Sequence, residues 1–141
     1  MTAKIMLRQL IWLRHQIERI DNNIEEIRET MTSAGAIRYD KINVQVSASN
    51  DELADFIDRL EHEERLARAY RLKYFRIYNE CLEIIRNVER PLEREVLSYY
   101  YIDGIRLKEI AKTMDYSEDY IRQVHRIALK RIDEKLKDNT Q

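Results

Sequence analysis

The 141-residue chain has one cysteine, one proline and two glycines. With Cys81 alone, no intrachain disulfide can form and no cysteine-rich zinc site can be built; the usage suits a reducing compartment. Two glycines cannot supply a glycine-rich phosphate loop. They also argue against an all-β domain, whose many short strands need many turn residues. No stretch is apolar for long enough to span a bilayer. The patch from Ile5 to Leu13 is interrupted by Arg8 and runs into a charged pattern with no small-residue cleavage site, so no signal peptide is expected. Charge of one sign is also lacking: 25 Lys and Arg against 26 Asp and Glu give a net charge of −1. That excludes a globally basic nucleic-acid binder but not a local basic face. A soluble, cytoplasmic protein without membrane contact is the expectation.

Catalytic and metal-binding constellations are missing too. His15, His62 and His125 stand on separate segments without ligand spacing, so no metal is expected. Glu61, Glu63 and Glu64 sit on a long charged helix and read as a solvated face. No Ser-His-Asp or Cys-His arrangement stands out. The expectation is a protein with no cofactor that is not an enzyme.

What the sequence does have is helical periodicity. Charged residues make up 36% and hydrophobic residues 44%. Met6, Leu10, Leu13, Ile17, Ile20, Ile24, Ile27 and Met31 follow at alternating steps of four and three, a heptad stripe. One helix over 2–32 is predicted, roughly 45 Å long at 1.5 Å per residue, stopped by Ser33 and Gly35. An unusually long connection, 33–50, is expected next, with the Ile42, Val44, Val46 alternation read either as a short extended stretch or, preferably, as a loop whose apolar residues drape over the hairpin. Ser49 to Glu52 has capping-box spacing. A second long helix should run from there to about Asn87, with Leu53, Ile57, Leu60, Ala67, Tyr70, Tyr74, Ile77, Cys81, Ile84 and Val88 as its stripe. Two such helices make an antiparallel hairpin.

Arg90-Pro91 ends the hairpin, and Pro91 is placed to begin the next helix. From there the helices are short. Leu92, Val96, Leu97 and Tyr100 mark one face, with Tyr99, Tyr100 and Tyr101 as core and rim. Gly104 supplies a positive φ at a stop. Leu107, Ile110, Ala111 and Met114 mark a second helix. Ser117 caps a third, whose buried face is Ile121, Val124, Ala128, Ile132 and Leu136.

The segment from Leu107 to Ile132 has the layout of a helix-turn-helix. Ala111 is the small residue where the second helix must come close, and Met114-Asp115-Tyr116 is the turn. The following helix presents Arg122, Gln123, Arg126 and Lys130 away from its apolar face. In such a motif the second helix enters the major groove. Arg can make two hydrogen bonds to guanine and Gln two to adenine. Between Tyr120 and Lys137 stand six basic and two acidic residues, a net +4 on one helix of a chain that is net −1.

Leu92-Glu-Arg-Glu-Val-Leu97, Gly104, Leu107-Lys-Glu-Ile-Ala111, Ser117, Ile121-Arg-Gln-Val124 and Ala128-Leu-Lys-Arg-Ile132 resemble region 4 of sigma-70-type sigma factors, over about 45 residues. The whole layout is similar to small phage-encoded regulators of the ArpU and RinA type, which are associated with late or packaging gene transcription. The resemblance implies base-contact roles for Glu118, Arg122 and Gln123, with Ser117 as cap and phosphate contact. It also implies double-stranded DNA as partner, and RNA polymerase as a second candidate. Two positions depart from the family pattern. Glu118 stands where a basic residue is common, so the helix begins Glu118-Asp119, favourable for the dipole but repelling phosphate. Asp115 stands where glycine is common, and Asp tolerates a left-handed backbone better than most residues. Val124-His125 echoes LuxR-type regulators, but Ala128-Leu129-Lys130 favours the sigma-like reading. His125 is expected on the surface or beside a phosphate.

The expectation is an all-α protein. Residues 1–89 form a coiled-coil-like hairpin for homo-oligomerisation, a dimer being favoured, or for partner binding. Residues 91–137 form a sigma-region-4-like module for sequence-specific transcriptional regulation. Two alternatives stand beside it: a small-terminase-like packaging or architectural protein, and an interaction module that has lost DNA binding.

Overall fold

A computed structural model of the chain describes residues 2–40 and 46–140, and the side chains of 2–32 and 51–139. It is all-α, with no strand among the described residues. Helix α1 spans Ala3–Asp40, α2 Val46–Arg86, α3 Pro91–Leu97, α4 Leu107–Met114 and α5 Glu118–Thr140. Helix α3 runs on into one π-helical turn, Ser98–Ile102, in which the Asp103 N–H donates to the Ser98 carbonyl (3.0 Å).

The first long helix does not stop at Ser33 and Gly35 but continues to Asp40. A single glycine costs a helix about 1 kcal/mol, and here two good helix formers, Ala34 and Ala36, flank it. Once a helix is nucleated, each further residue adds a hydrogen bond. The second helix begins at Val46, so the Ser49–Glu52 capping spacing falls inside it and Ser49 is not its N-cap. Of the expected connection 33–50, residues 33–40 and 46–50 are helical. The expected draping of Ile42 and Val44 lies outside the described residues.

By packing, the chain forms two compact units, residues 14–73, and residues 1–13 together with 74–141. In the first, Ile20, Ile24 and Ala67 form a buried cluster against Leu60, Leu66 and Tyr70. Arg71 bonds Asp21 through both carboxylate oxygens (2.6 and 2.7 Å) and Arg28 bonds Glu64 (2.9 Å). Seven residues forward along α1 correspond to seven back along α2, so the helices run antiparallel and the two ties lie about two turns apart along each of them. Leu53 and Ile57, expected in the seam, are 39% and 40% exposed.

In the second unit the start of α1, the end of α2 and the three short helices share a core. Ala3, Leu7, Leu10 and Leu13 are completely buried, as is Cys81, and Ile85 nearly so. Leu7 takes the core place expected for Met6, which is half-buried. Each fully buried leucine contributes roughly 1.5–3 kcal/mol relative to exposure. The Ala3 N–H donates to Asp133 Oδ1 of α5 (2.6 Å), and the Cys81 thiol points at the Met6 carbonyl (Sγ–O 3.9 Å).

Arg90 has an extended backbone (ψ 120°) and Pro91 opens α3. There the missing proline N–H costs nothing and the fixed φ suits the first helical position. Val96, Ile110, Ala111, Ile121 and Val124 form the core of the short-helix module, with Leu92, Tyr99, Tyr100, Ile105, Leu107 and Met114 packed around it.

Candidate nucleic-acid interface

The turn between α4 and α5 is set by backbone chemistry. Asp115 has φ 63° and ψ 41°, the left-handed region. The Tyr116 N–H donates to the Ala111 carbonyl (2.9 Å) and the Asp115 N–H to the Lys112 carbonyl (3.4 Å). These two bonds are the Schellman arrangement, which satisfies carbonyls the helix end leaves open. Ser117 then starts α5: its Oγ accepts from the Tyr120 N–H (3.2 Å), an N-cap bond. Glu118 and Asp119 fill the first turn, where negative charge suits the dipole. Gly104 takes the positive φ (73°) expected of it.

Helix α5 buries Ile121, Val124, Ala128, Leu129 and Ile132. Leu136 is half-buried. Ala111, 3% exposed on α4, has no side chain beyond Cβ to hold α5 away. The other face carries Arg122, Gln123, Arg126 and Lys130, all exposed. The six sequence-predicted residues therefore occupy one end and one face of α5, with Ser117 as its cap.

Glu118 and Arg122 are joined. Arg122 Nη2 donates to Glu118 Oε1 at 2.6 Å, one helical turn on. This hydrogen bond is the chief reason the Glu118 carboxyl sits below the usual carboxylate range, with the charges of Arg122 and Lys108 adding to it. The same bond raises the Arg122 pKa. One edge of the guanidinium is thus oriented by a carboxylate before any ligand arrives.

Not all the positive charge of α5 faces outward. Arg131 Nε bonds Glu93 Oε1 (3.2 Å), a carboxylate whose residue is only 7% exposed. Lys135 donates to the Asn87 carbonyl (3.3 Å) and stands 4.0 Å from Glu89. Two of the six basic residues that made this helix look like a basic stripe tie α5 to α3 and to the α2–α3 connection. Periodicity identifies them as off the apolar face but cannot show that carboxylates and a carbonyl meet them there.

Sequence reasoning passed over the neighbours of the α5 start. Lys108, at the beginning of α4, lies close enough to act on Glu118. Tyr116 and Tyr120 are exposed, with ring centroids 5.1 Å apart. Two tyrosines flanking the Ser117 cap were the available signal.

His125 does not lie at the surface. It is half-buried, and its Nε2 shares a 2.7 Å hydrogen bond with the buried Tyr101 hydroxyl. The Tyr101 and His125 rings stack at 5.4 Å, and Tyr100 lies 5.1 Å from the imidazole. Burial lowers the His125 pKa, with Lys4 and Arg8 adding to it. Burial also raises that of the Tyr101 hydroxyl. At neutral pH the pair is uncharged and structural.

Among the described residues no group of His, Cys, Asp and Glu could hold a metal, and no helix is long and apolar enough to cross a membrane. A cavity of about 520 Å³ lies where the C-terminal half of α5 faces the α2–α3 connection, lined by Ile84, Val88, Ala128, Ile132 and charged rim residues. It does not include the α5 tip.

No curated protein matches the chain, and no solved structure does. Residues 90–134, about a third of the chain, match the family model described as Sigma-70, region 4, which supports a DNA-binding helix-turn-helix regulator at family level.

Proposed function

We propose that the protein is a sequence-specific transcriptional regulator that lays α5 in the major groove of double-stranded DNA. In this reading Arg122 and Gln123 meet base edges, and Glu118 sets the direction of the Arg122 guanidinium. Ser117, Arg126 and Lys130 meet the phosphates, with Lys108 and Tyr116 at the margin. The observation that carries the reading is the start of α5. A left-handed Asp115 and a Ser117 cap hold it, its apolar face is buried, and its other face exposes Arg122, Gln123, Arg126 and Lys130. Residues 1–89 then serve self-association or a partner such as RNA polymerase, and residues 91–137 serve DNA. A single module of this size binds weakly; a dimer doubles the contacts and raises effective affinity. In this reading the protein is a small phage-encoded regulator; what supports this is the order of a long helical N-terminal part followed by the helix-turn-helix module.

The test is selection from random duplex DNA at physiological salt, using the full chain beside Arg122→Ala, Gln123→Ala. A motif enriched by the parent and lost in the variant supports the reading. No enrichment by either protein refutes it. A second reading, an interaction module that does not read DNA, is favoured by the Glu118–Arg122 ion pair, which engages the foremost arginine of the face. Absence of enrichment together with capture of RNA polymerase would support that reading.

A further inference from the structure

Within the unit of residues 14–73, α2 carries a face with exposed apolar residues that the described residues leave uncovered. Ile57 and Leu72 are 40% and 70% exposed. Ile57, Glu61, Arg65, Arg68 and Leu72 follow at steps of four, four, three and four, so they share one side of the helix. Their order is self-complementary about the midpoint between Glu64 and Arg65. Ile57 mirrors Leu72, Glu61 mirrors Arg68, and Glu64 mirrors Arg65. One position inward from Ile57 and Leu72, Asp58 mirrors Arg71 in the same sense.

Some of these charges are used inside the chain: Glu64 by Arg28 and Arg71 by Asp21. Glu61 and Arg68 are exposed and form no ion pair among the described residues. An antiparallel copy of α2, set across a two-fold axis at this midpoint, meets apolar with apolar and acid with base. An in-register parallel copy sets Glu61 against Glu61 and Arg68 against Arg68. A two-fold contact is isologous, so every pair occurs twice.

We propose that two copies of the chain pair antiparallel through this face of α2, with Glu61 of one copy against the partner's Arg68. This gives the proposed dimer a surface and an orientation. It rests on α2 alone, and it is tested without DNA, so its failure and that of the DNA-reading proposal are separate results.

The experiment is sedimentation equilibrium of the full chain with Glu61→Arg and Arg68→Glu, singly, mixed in equal amounts, and combined in one chain. Both positions are exposed, and helical circular dichroism verifies that each variant is folded. The parent is expected to dimerise. Each single reversal turns two attractive pairs into repulsive ones, which should weaken self-association by about tenfold. The equimolar mixture and the double variant should associate like the parent, because both restore opposite charges across the axis. The proposal is overturned if the parent stays monomeric at both low and high salt, or if the single variants dimerise like the parent. It is also overturned if the folded mixture fails to associate.

Discussion

Replacing Arg131 by Met should loosen α5 from α3, although Arg131 lies outside the candidate interface. The Glu93 side chain is 9% exposed and the Arg131 side chain 44%. Removing one partner of a fully buried pair costs about 3–5 kcal/mol, because the other charge is left in low dielectric without compensation. Water reaches the arginine side of this pair, so the figure is discounted to about 1–2 kcal/mol. Glu93→Gln should cost less, since a neutral amide is easier to leave buried. The double variant should be milder than the two losses added, and that non-additivity measures the coupling. Urea denaturation followed by fluorescence of Trp12 reports on the right unit, because Trp12 and the module share it. With a slope of about 1–2 kcal/mol/M, the midpoint should fall by about 1 M for Arg131→Met. A midpoint unchanged by Arg131→Met, with a coupling near zero, would refute the view that this contact holds α5 in place.

Four further outcomes follow from the geometry. Ser117→Ala should cost about 1 kcal/mol through loss of the cap, and Asp115→Val at least as much through the left-handed backbone, while Asp115→Gly is tolerated; thermal denaturation distinguishes the three. The folded-state pKa of His125 lies below its unfolded value of about 6.5, so the unfolded chain binds the proton more readily. Stability is therefore full above that value and falls as pH is lowered through it toward the depressed folded pKa; His125→Gln should flatten this limb in a pH series of urea midpoints. The Cys81 thiol, pushed up to about 11 by burial and by Glu80, should resist a thiol reagent at pH 8 until urea unfolds the chain, and fast labelling of the native protein would contradict its burial. If Arg126 and Lys130 meet phosphates, replacing both by Ala should reduce the slope of log affinity against log salt by about 2, read by fluorescence anisotropy on duplex DNA.

Much of the fold is legible in the sequence because its signals are local. The heptad steps of α1 place Leu10, Leu13, Ile20, Ile24 and Ile27 in the core, and Pro91 opens α3. Ala111, Asp115 and Ser117 define the helix-turn-helix through chemistry confined to a few neighbouring residues. Two kinds of inference were misled. Gly35 and Ser49 look like helix boundaries, yet both lie inside long helices, because propagation outweighs a single weak residue. Leu53 and Ile57 have seam spacing, yet they are exposed. A period says which side of a helix is apolar, not whether another helix covers it.

By itself, then, the sequence determined the helical class, the order of long and short helices, and the residues that shape the α4–α5 turn. Capping, left-handed backbone and heptad spacing act within one or two helical turns, so no distant partner is needed to read them. Tertiary structure alone decided which charges remain available. Arg131 and Lys135 look like Arg126 and Lys130 in the sequence, but Glu93 and the Asn87 carbonyl engage the first two. It also decided that His125 turns inward, because Tyr101, twenty-four residues away, brings a hydroxyl to its ring. And it joined the start of α1 to the end of α2 and the short helices in one compact unit. The physical reason is the same in each case: the partner is remote in sequence, and only the folded chain brings it within hydrogen-bonding or van der Waals reach.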